Sequence, residues 1–156
     1  MNIRIRRANE NDIFNISELF YETIRNINIK DYNDVQVKAW TLRAYDEDKW
    51  KKKIESQYFI VAILNNIMVG FASIDESGYL DYMFVHKDFQ RVGIAKKLLN
   101  DIEEKAKNEE YGVIYSHVSK TAKDFFISNG YVIELMQKVL ISNVELINYK
   151  MVKKLK

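Results

Sequence analysis

The chain has no cysteine and no proline, and only five glycines and two histidines in 156 residues. Without cysteine there is no disulfide framework, no thiol nucleophile and no thiolate zinc cluster. His86 and His117 fall on different predicted elements, and no H-x-x-x-H spacing occurs, so no metal site is expected. Neither a G-x-x-x-x-G-K-[ST] phosphate loop nor a G-x-G-x-x-G dinucleotide fingerprint is present. No apolar run approaches the ~20 residues of a membrane span. The opening MNIRIRRANEND is basic but lacks a following apolar segment and a small-residue cleavage site. No signal peptide is therefore expected, and a cytoplasmic location is the default. The missing proline accompanies abundant Asn, Ile and Lys and reads as compositional bias.

What is present describes a globular chain. Hydrophobic residues make up 47% of it, and no repeat, low-complexity tract or linker interrupts residues 1–156, which read as one domain. A net charge of +2 is too small to argue for nucleic acid. Basic residues gather in KWKKKI (49–54) and KMVKKLK (150–156), which read as a solvated helix face and a fraying end.

Residues 3–8 alternate as a first strand. Asn9 or Asn11 can cap a helix to about Arg25, with Ile13, Ile16, Leu19, Phe20, Ile24 and Ile27 as its apolar stripe. A short helix is predicted around 35–40 and another from Asp46 to about Glu55. YFIVAIL and IMVGFASI are strands joined by Asn65-Asn66, a turn that tolerates positive φ. DESG turns the chain into YLDYMFV (79–85). A helix follows Gly93, then a strand at 112–118, a helix from Thr121 with Asp124 as a capping box, and strands near 131–140 and 144–153. The order is β-α-α-β-β-β-α-β-α-β-β, with antiparallel hairpins around one β-α-β unit. This is an α+β layout with a mixed, mostly antiparallel central sheet flanked by helices.

The segment VHKDFQRVGIAKKLLNDIEEKAK carries the strongest chemical signal. A helix N-terminus exposes unpaired N–H groups and about half a positive charge. Gly93 lets an anion approach the backbone, and Ala95 keeps the next turn small. Arg91, Lys96 and Lys97 sit where the dipole repels cations, which is explained if a polyanion binds there. The alternative is a plain strand-to-helix turn whose lysines point into water.

Two blocks in the right order decide between these readings. LDYMFVHKDFQRVGIAKKLL, with Gln90, Gly93 and Ala95 at the Q/R-x-x-G-x-G/A positions, resembles the acetyl-CoA motif of the GNAT superfamily of N-acetyltransferases. SKTAKDFFISNGY (119–131) resembles that family's second block, usually N-x-x-A-x-x-F-Y-x-x-x-G-F, and the likeness covers nearly the whole chain. The resemblance implies the GNAT-like acyl-CoA N-acyltransferase fold, acetyl-CoA as co-substrate and transfer of its acetyl group to a primary amine. That amine would belong to a small molecule or a protein or peptide and attack directly in a ternary complex. The strand end Met83-Phe84-Val85 would splay from its neighbour and pair with pantetheine. The amides of Arg91, Val92, Gly93, Ile94, Ala95 and Lys96 would cradle the pyrophosphate. Ser119, Thr121, Phe125 and Phe126 would lie along the pantetheine and adenine side. Ser119 replaces a common Asn, and Phe126 stands where many relatives carry the tyrosine that protonates the leaving thiolate.

The reaction needs a base for the ammonium. Asp81, sharing a strand face with Tyr79 and Met83, is the first candidate, His117 the second, and a water chain the third. Tyr32 could replace the missing acid, or none is needed for a thiol of ordinary pKa near 8.5. An N–H near Phe84 or Val85 would serve the oxyanion. Tyr32 and Trp40 are expected as apolar walls of the acceptor site, and Asp31 or Asp34 as partners of a cationic amine. With Phe126 in place of tyrosine, an acetyl-CoA-binding sensor with little turnover is the alternative function. The late strands are compatible with a homodimer; neither a membrane nor a nucleic-acid partner is expected.

Overall fold

The computed structural model describes residues 2–156. Strand β1 (Arg4–Arg7) leads through a single 3-10 turn into helix α1 (Ile13–Asn26). Asn9 and Asp12 cap that turn reciprocally, and Arg6 holds buried Asp12 through two 2.9 Å bonds. Helices α2 (Asp34–Thr41) and α3 (Glu47–Ser56) follow, each started by a side-chain cap, Asn33 and Asp46. Then come β2 (Tyr58–Leu64), β3 (Ile67–Ile74), β4 (Tyr79–Val85), α4 (Ile94–Asn108), β5 (Val113–Ser119), α5 (Lys123–Ser128), β6 (Val132–Ile141) and β7 (Val144–Lys154). The seven strands form one sheet in the order β1-β2-β3-β4-β5-β7-β6, antiparallel except for β4 beside β5. This is the expected α+β architecture, except that three helices rather than two separate β1 from β2.

Helices cover both faces, and the strand sequences reflect it. In β2, Phe59 and Val61 join the core under α1–α3, whereas Ile60, Ala62 and Leu64 join the core under α4. A strand buried on both sides reads as one apolar run rather than an alternation. The stripe Ile94, Leu98, Leu99, Ile102 and Ala106 seats α4 on the sheet with each residue at most 1% exposed. Contact is close enough that a Cβ on Gly70 would meet Ile94, Leu98 and the Phe84 carbonyl at 3.0 Å each. No helix of the described residues is long and apolar enough to cross a membrane.

Four expectations are corrected. Thr121 and Asp124 make no capping box; α5 begins at Lys123 and Ser119 Oγ takes the Ala122 N–H at 3.1 Å. The basic tail is a paired strand, in which Lys153 bonds Glu103 and the Asn129 carbonyl, and Tyr131 donates to the same Glu103. The lysine-rich face of α3 is split: Lys53 and Lys49 turn toward β4, and only Lys51 and Lys52 face solvent. Finally, Ser73 pairs with Tyr82 and Ile74 with Leu80, which leaves Asp81 as the extra residue of a β-bulge. The bulge flips the alternation: Asp81 and Tyr82 face α3, while Met83 packs into the core under α4. Asp81 and Met83 therefore do not share a face.

Candidate active site

β4 and β5 remain paired only through Tyr79↔Tyr115 and Leu80↔Ser116, where Ser116 donates to the Leu80 carbonyl at 2.7 Å. They then part, because β4 stays with β3 as far as Val85 while β5 stays with β7 as far as Ser119. The His86 amide bonds the Val69 carbonyl at 2.9 Å on the β3 side. Alternation turns the peptide groups of Met83 and Val85 into the gap and those of Phe84 toward β3. Thr23 Oγ1 at 3.0 Å and Gln90 Nε2 at 2.8 Å already take the Val85 carbonyl. The Val85 N–H and both polar groups of Met83 remain for an extended chain laid in the gap.

At the upper end of the gap the chain enters α4 through two left-handed residues, Arg91 at φ 61° and Gly93 at φ 91°. No side chain caps the helix, and its first internal bond runs from the Lys97 amide to the Gly93 carbonyl. The preceding amides are thus unpaired within the helix, at its positive end. A Cβ on Gly93 would meet no protein atom within 4 Å, so the space it would enter belongs to the cleft. This cleft, about 930 Å³, runs from Arg91, Gly93 and Lys96 past Met83 and Val85 to Ser119, Thr121 and Phe125. Thr121 Oγ1 donates to Asp31 at 2.8 Å across the rim, and Lys96 Nζ reaches Asn129 Oδ1 at 2.5 Å.

A second cavity of about 430 Å³ lies below the split, under α1–α3 and the β6–β7 hairpin. It shares Met83, Phe84, Ser119 and Ala122 with the cleft, so the two spaces meet where the strands separate. Trp40, Tyr79, Tyr82, Val139, Ile141 and Leu146 give it apolar walls; Arg43, Lys49, Asp81 and His117 are its titratable and charged groups. Burial raises the pKa of the Tyr79 and Tyr82 phenols, so both keep their protons. Burial, reinforced by Arg43, lowers Lys49 to about 8. Desolvation and then Lys150 hold His117 below its ordinary value against the opposing field of Asp81. His117 is therefore a neutral imidazole at pH 7, in edge contact with the Tyr79 ring at 5.3 Å.

The expected residues divide between these spaces. Met83, Phe84, Val85, Gln90, Arg91, Gly93, Ile94, Ala95, Lys96, Ser119, Thr121 and Phe125 line the cleft. Ile94 does so from its backbone, being 1% exposed, and the Gln90 carboxamide is spent on the Val85 and His86 carbonyls. Val92 points outward and is not part of the lining, and neither is Lys97. Phe126 is buried between Phe125 and Tyr131 and borders the lower cavity rather than the cleft. Asp81 and His117 both reach the lower cavity, but Asp81 Oδ2 already accepts from Lys53 at 2.7 Å and Gln57 at 2.8 Å.

Tyr32 is 6% exposed; its hydroxyl donates to the Ile147 carbonyl at 2.8 Å and accepts from the Lys120 amide at 2.9 Å. With its proton held by a carbonyl, Tyr32 is a clasp between β7 and the β5–α5 turn. Asp31 stands at the cleft rim and Asp34 outside both spaces, so neither meets an amine in the lower cavity. Lys49, Arg43, Tyr79 and Tyr82 were missed as site residues. The i,i+4 spacing of Lys49 and Lys53 beside Trp50 was the available signal for the first of these.

The chain has relatives among known proteins. The family model described as acetyltransferase (GNAT) domain matches residues 28–153. An uncharacterized N-acetyltransferase of Escherichia coli, YafP, is 31% identical over 138 residues, covering 88% of this chain and 87% of the relative. The crystal structure of a GCN5-related N-acetyltransferase from Rhodopseudomonas palustris superposes with a TM-score of 0.96 at 27% identity, covering 99% of this chain and 97% of that one. The PaiA N-acetyltransferase of Thermoplasma acidophilum, solved in complex with coenzyme A, shares the fold with a TM-score of 0.82 at 18% identity, over 99% and 100% of the two chains.

Proposed function

Because this chain belongs to the GNAT acetyltransferase family, we propose that it carries the acetyl group of acetyl-CoA to a primary amine bound in the lower cavity, by direct attack with both substrates present. The observation that carries this reading is the junction: a cleft suited to a phosphorylated, extended donor opens into a separate chamber through Met83, Phe84, Ser119 and Ala122. Acetyl-CoA supplies the activated thioester. The unpaired amides before Lys97 suit its phosphates, and the Met83 peptide groups with the Val85 N–H suit its amide-rich arm. Solved relatives bound to coenzyme A or acetyl-CoA support the same donor.

Within this reading, His117 takes the proton of the incoming amine, since it is neutral at pH 7 and has no hydrogen-bond partner among the described residues. Asp81 orients the site through Lys53 and Gln57, its second oxygen left for the amine. The N–H of Val85 or Met83, not that of Phe84, faces the negative charge developing on the thioester oxygen. Tyr79 and Tyr82 are phenols on the chamber wall that burial makes poor acids. With Phe126 having no proton to give, the CoA thiolate, of ordinary pKa near 8.5, leaves without a dedicated acid.

Release of free CoA thiol by the full chain, screened against polyamines, aminoglycosides, amino acids and peptides, tests the proposal. Release that depends on one amine class is the expected result. Acetyl-CoA binding without release across the whole panel would leave a cofactor-binding module and overturn transfer.

A further inference from the structure

The one charged lining group of the chamber without an ion-pair partner among the described residues is a cation. Of its lining groups, Asp81 is neutralised by Lys53 at 2.7 Å, and Arg43 keeps Asp46 through Nε and Nη2, with Nη1 unengaged. Lys49 has no counter-ion: among the described residues no carboxylate lies within 4 Å of its ammonium, and no oxygen accepts from it. It is half-buried, with Nζ 4.3 Å from the Trp50 ring centre and 5.1 Å from that of Phe20. Those ring faces offset part of its desolvation, and a half-buried cation with no anionic partner still gains when an anion arrives. Its lowered proton affinity is the same fact seen through titration.

We propose that Lys49, with Arg43 beside it, anchors an acidic group of the acceptor, and that the acceptor is a small amine bearing a carboxylate and an apolar or aromatic body, as amino acids do. This rests on the acetyl-transfer reading and names its substrate class. The carboxylate docks at the α2–α3 end of the chamber, the body lies against Trp40, Tyr79 and Tyr82, and the amine faces His117. A cavity of about 430 Å³ suits one such molecule. A polyamine or aminoglycoside would instead bring further cations against Lys49 and Arg43.

The test compares phenylalanine, phenethylamine and spermidine as acceptors in thiol release, for the parent protein and for Lys49→Met and Lys49→Arg. The expected result is a preference for phenylalanine over phenethylamine of about tenfold or more, set mainly by KM. Lys49→Met should collapse that preference by raising KM for phenylalanine about 10- to 100-fold, and Lys49→Arg should restore most of it. Preference for phenethylamine or spermidine, or an unchanged preference in Lys49→Met, overturns the assignment. If no amine releases thiol, the transfer reading fails separately. Calorimetric binding of the same compounds to protein saturated with CoA then decides: a Lys49-dependent gain from the carboxylate supports the anchor, and equal binding of the three compounds rejects it.

Discussion

The cleft and the chamber share Met83, Phe84, Ser119 and Ala122, yet they are built from different parts of the chain. The cleft is mostly backbone from one continuous stretch: the splayed end of β4, two left-handed residues and the uncapped start of α4. The chamber is made of side chains from α1, α2, α3, β4, β5 and the β6–β7 hairpin, brought together by folding. Backbone recognition tolerates many side-chain changes but few changes of φ. Side-chain recognition is the reverse, so the two regions should fail in different ways when mutated.

The sharpest break is Gly93→Glu, which should remove acetyl-CoA binding in a calorimetric titration. It puts a carboxylate into the cradle, and its side chain also meets φ 91°, a strain of about 1–2 kcal/mol. Gly93→Ala carries the strain without the charge and should bind more weakly but measurably. A folded Gly93→Glu with ordinary affinity would contradict the cradle.

On the chamber side, His117→Gln should lower kcat about 100-fold and leave acetyl-CoA affinity alone. Because partial desolvation and Lys150 hold the His117 pKa below its ordinary 6.5, the parent loses activity only as the pH falls through that lower range and the imidazole protonates. In His117→Gln that acidic limb of the kcat profile should vanish. A persisting limb would return the base to Asp81 or to water.

Tyr32→Phe separates a clasp from an acid. Loss of the bonds to Ile147 and Lys120 should cost about 1–2 kcal/mol in chemical denaturation, with little change in kcat. A catalytic acid would instead show a drop in kcat of about 100-fold or more. The smallest effect is expected for Lys97→Gln, which lies outside the cleft and should change cofactor affinity less than about twofold in moderate salt.

These contrasts also mark what was legible before folding. The element order, the five-residue stripe of α4 and the Gln90, Gly93 and Ala95 spacing are local features, governed by periodicity and by the φ that glycine permits. Hence the uncapped, left-handed start of α4 could be read directly. The Asp81 bulge could not, because it is a mismatch between two strands and belongs to neither alone. Lys49 and Lys51 look alike in KWKKKI, and only packing of α3 against β4 turns one toward a cavity and the other toward water.

Tyr32 shows the same limit from the other side. In its polar loop it read as a free functional phenol, whereas a carbonyl 115 residues away holds its proton. The sequence by itself therefore determined where unpaired backbone amides gather, since such amides at a helix start follow from a few consecutive residues. Tertiary structure alone decided which side chains are free to act, because freedom depends on partners that folding brings from distant segments. For this protein those partners are Lys53 for Asp81, Ile147 for Tyr32, and for Lys49 only the ring faces of Trp50 and Phe20, with no carboxylate among the described residues.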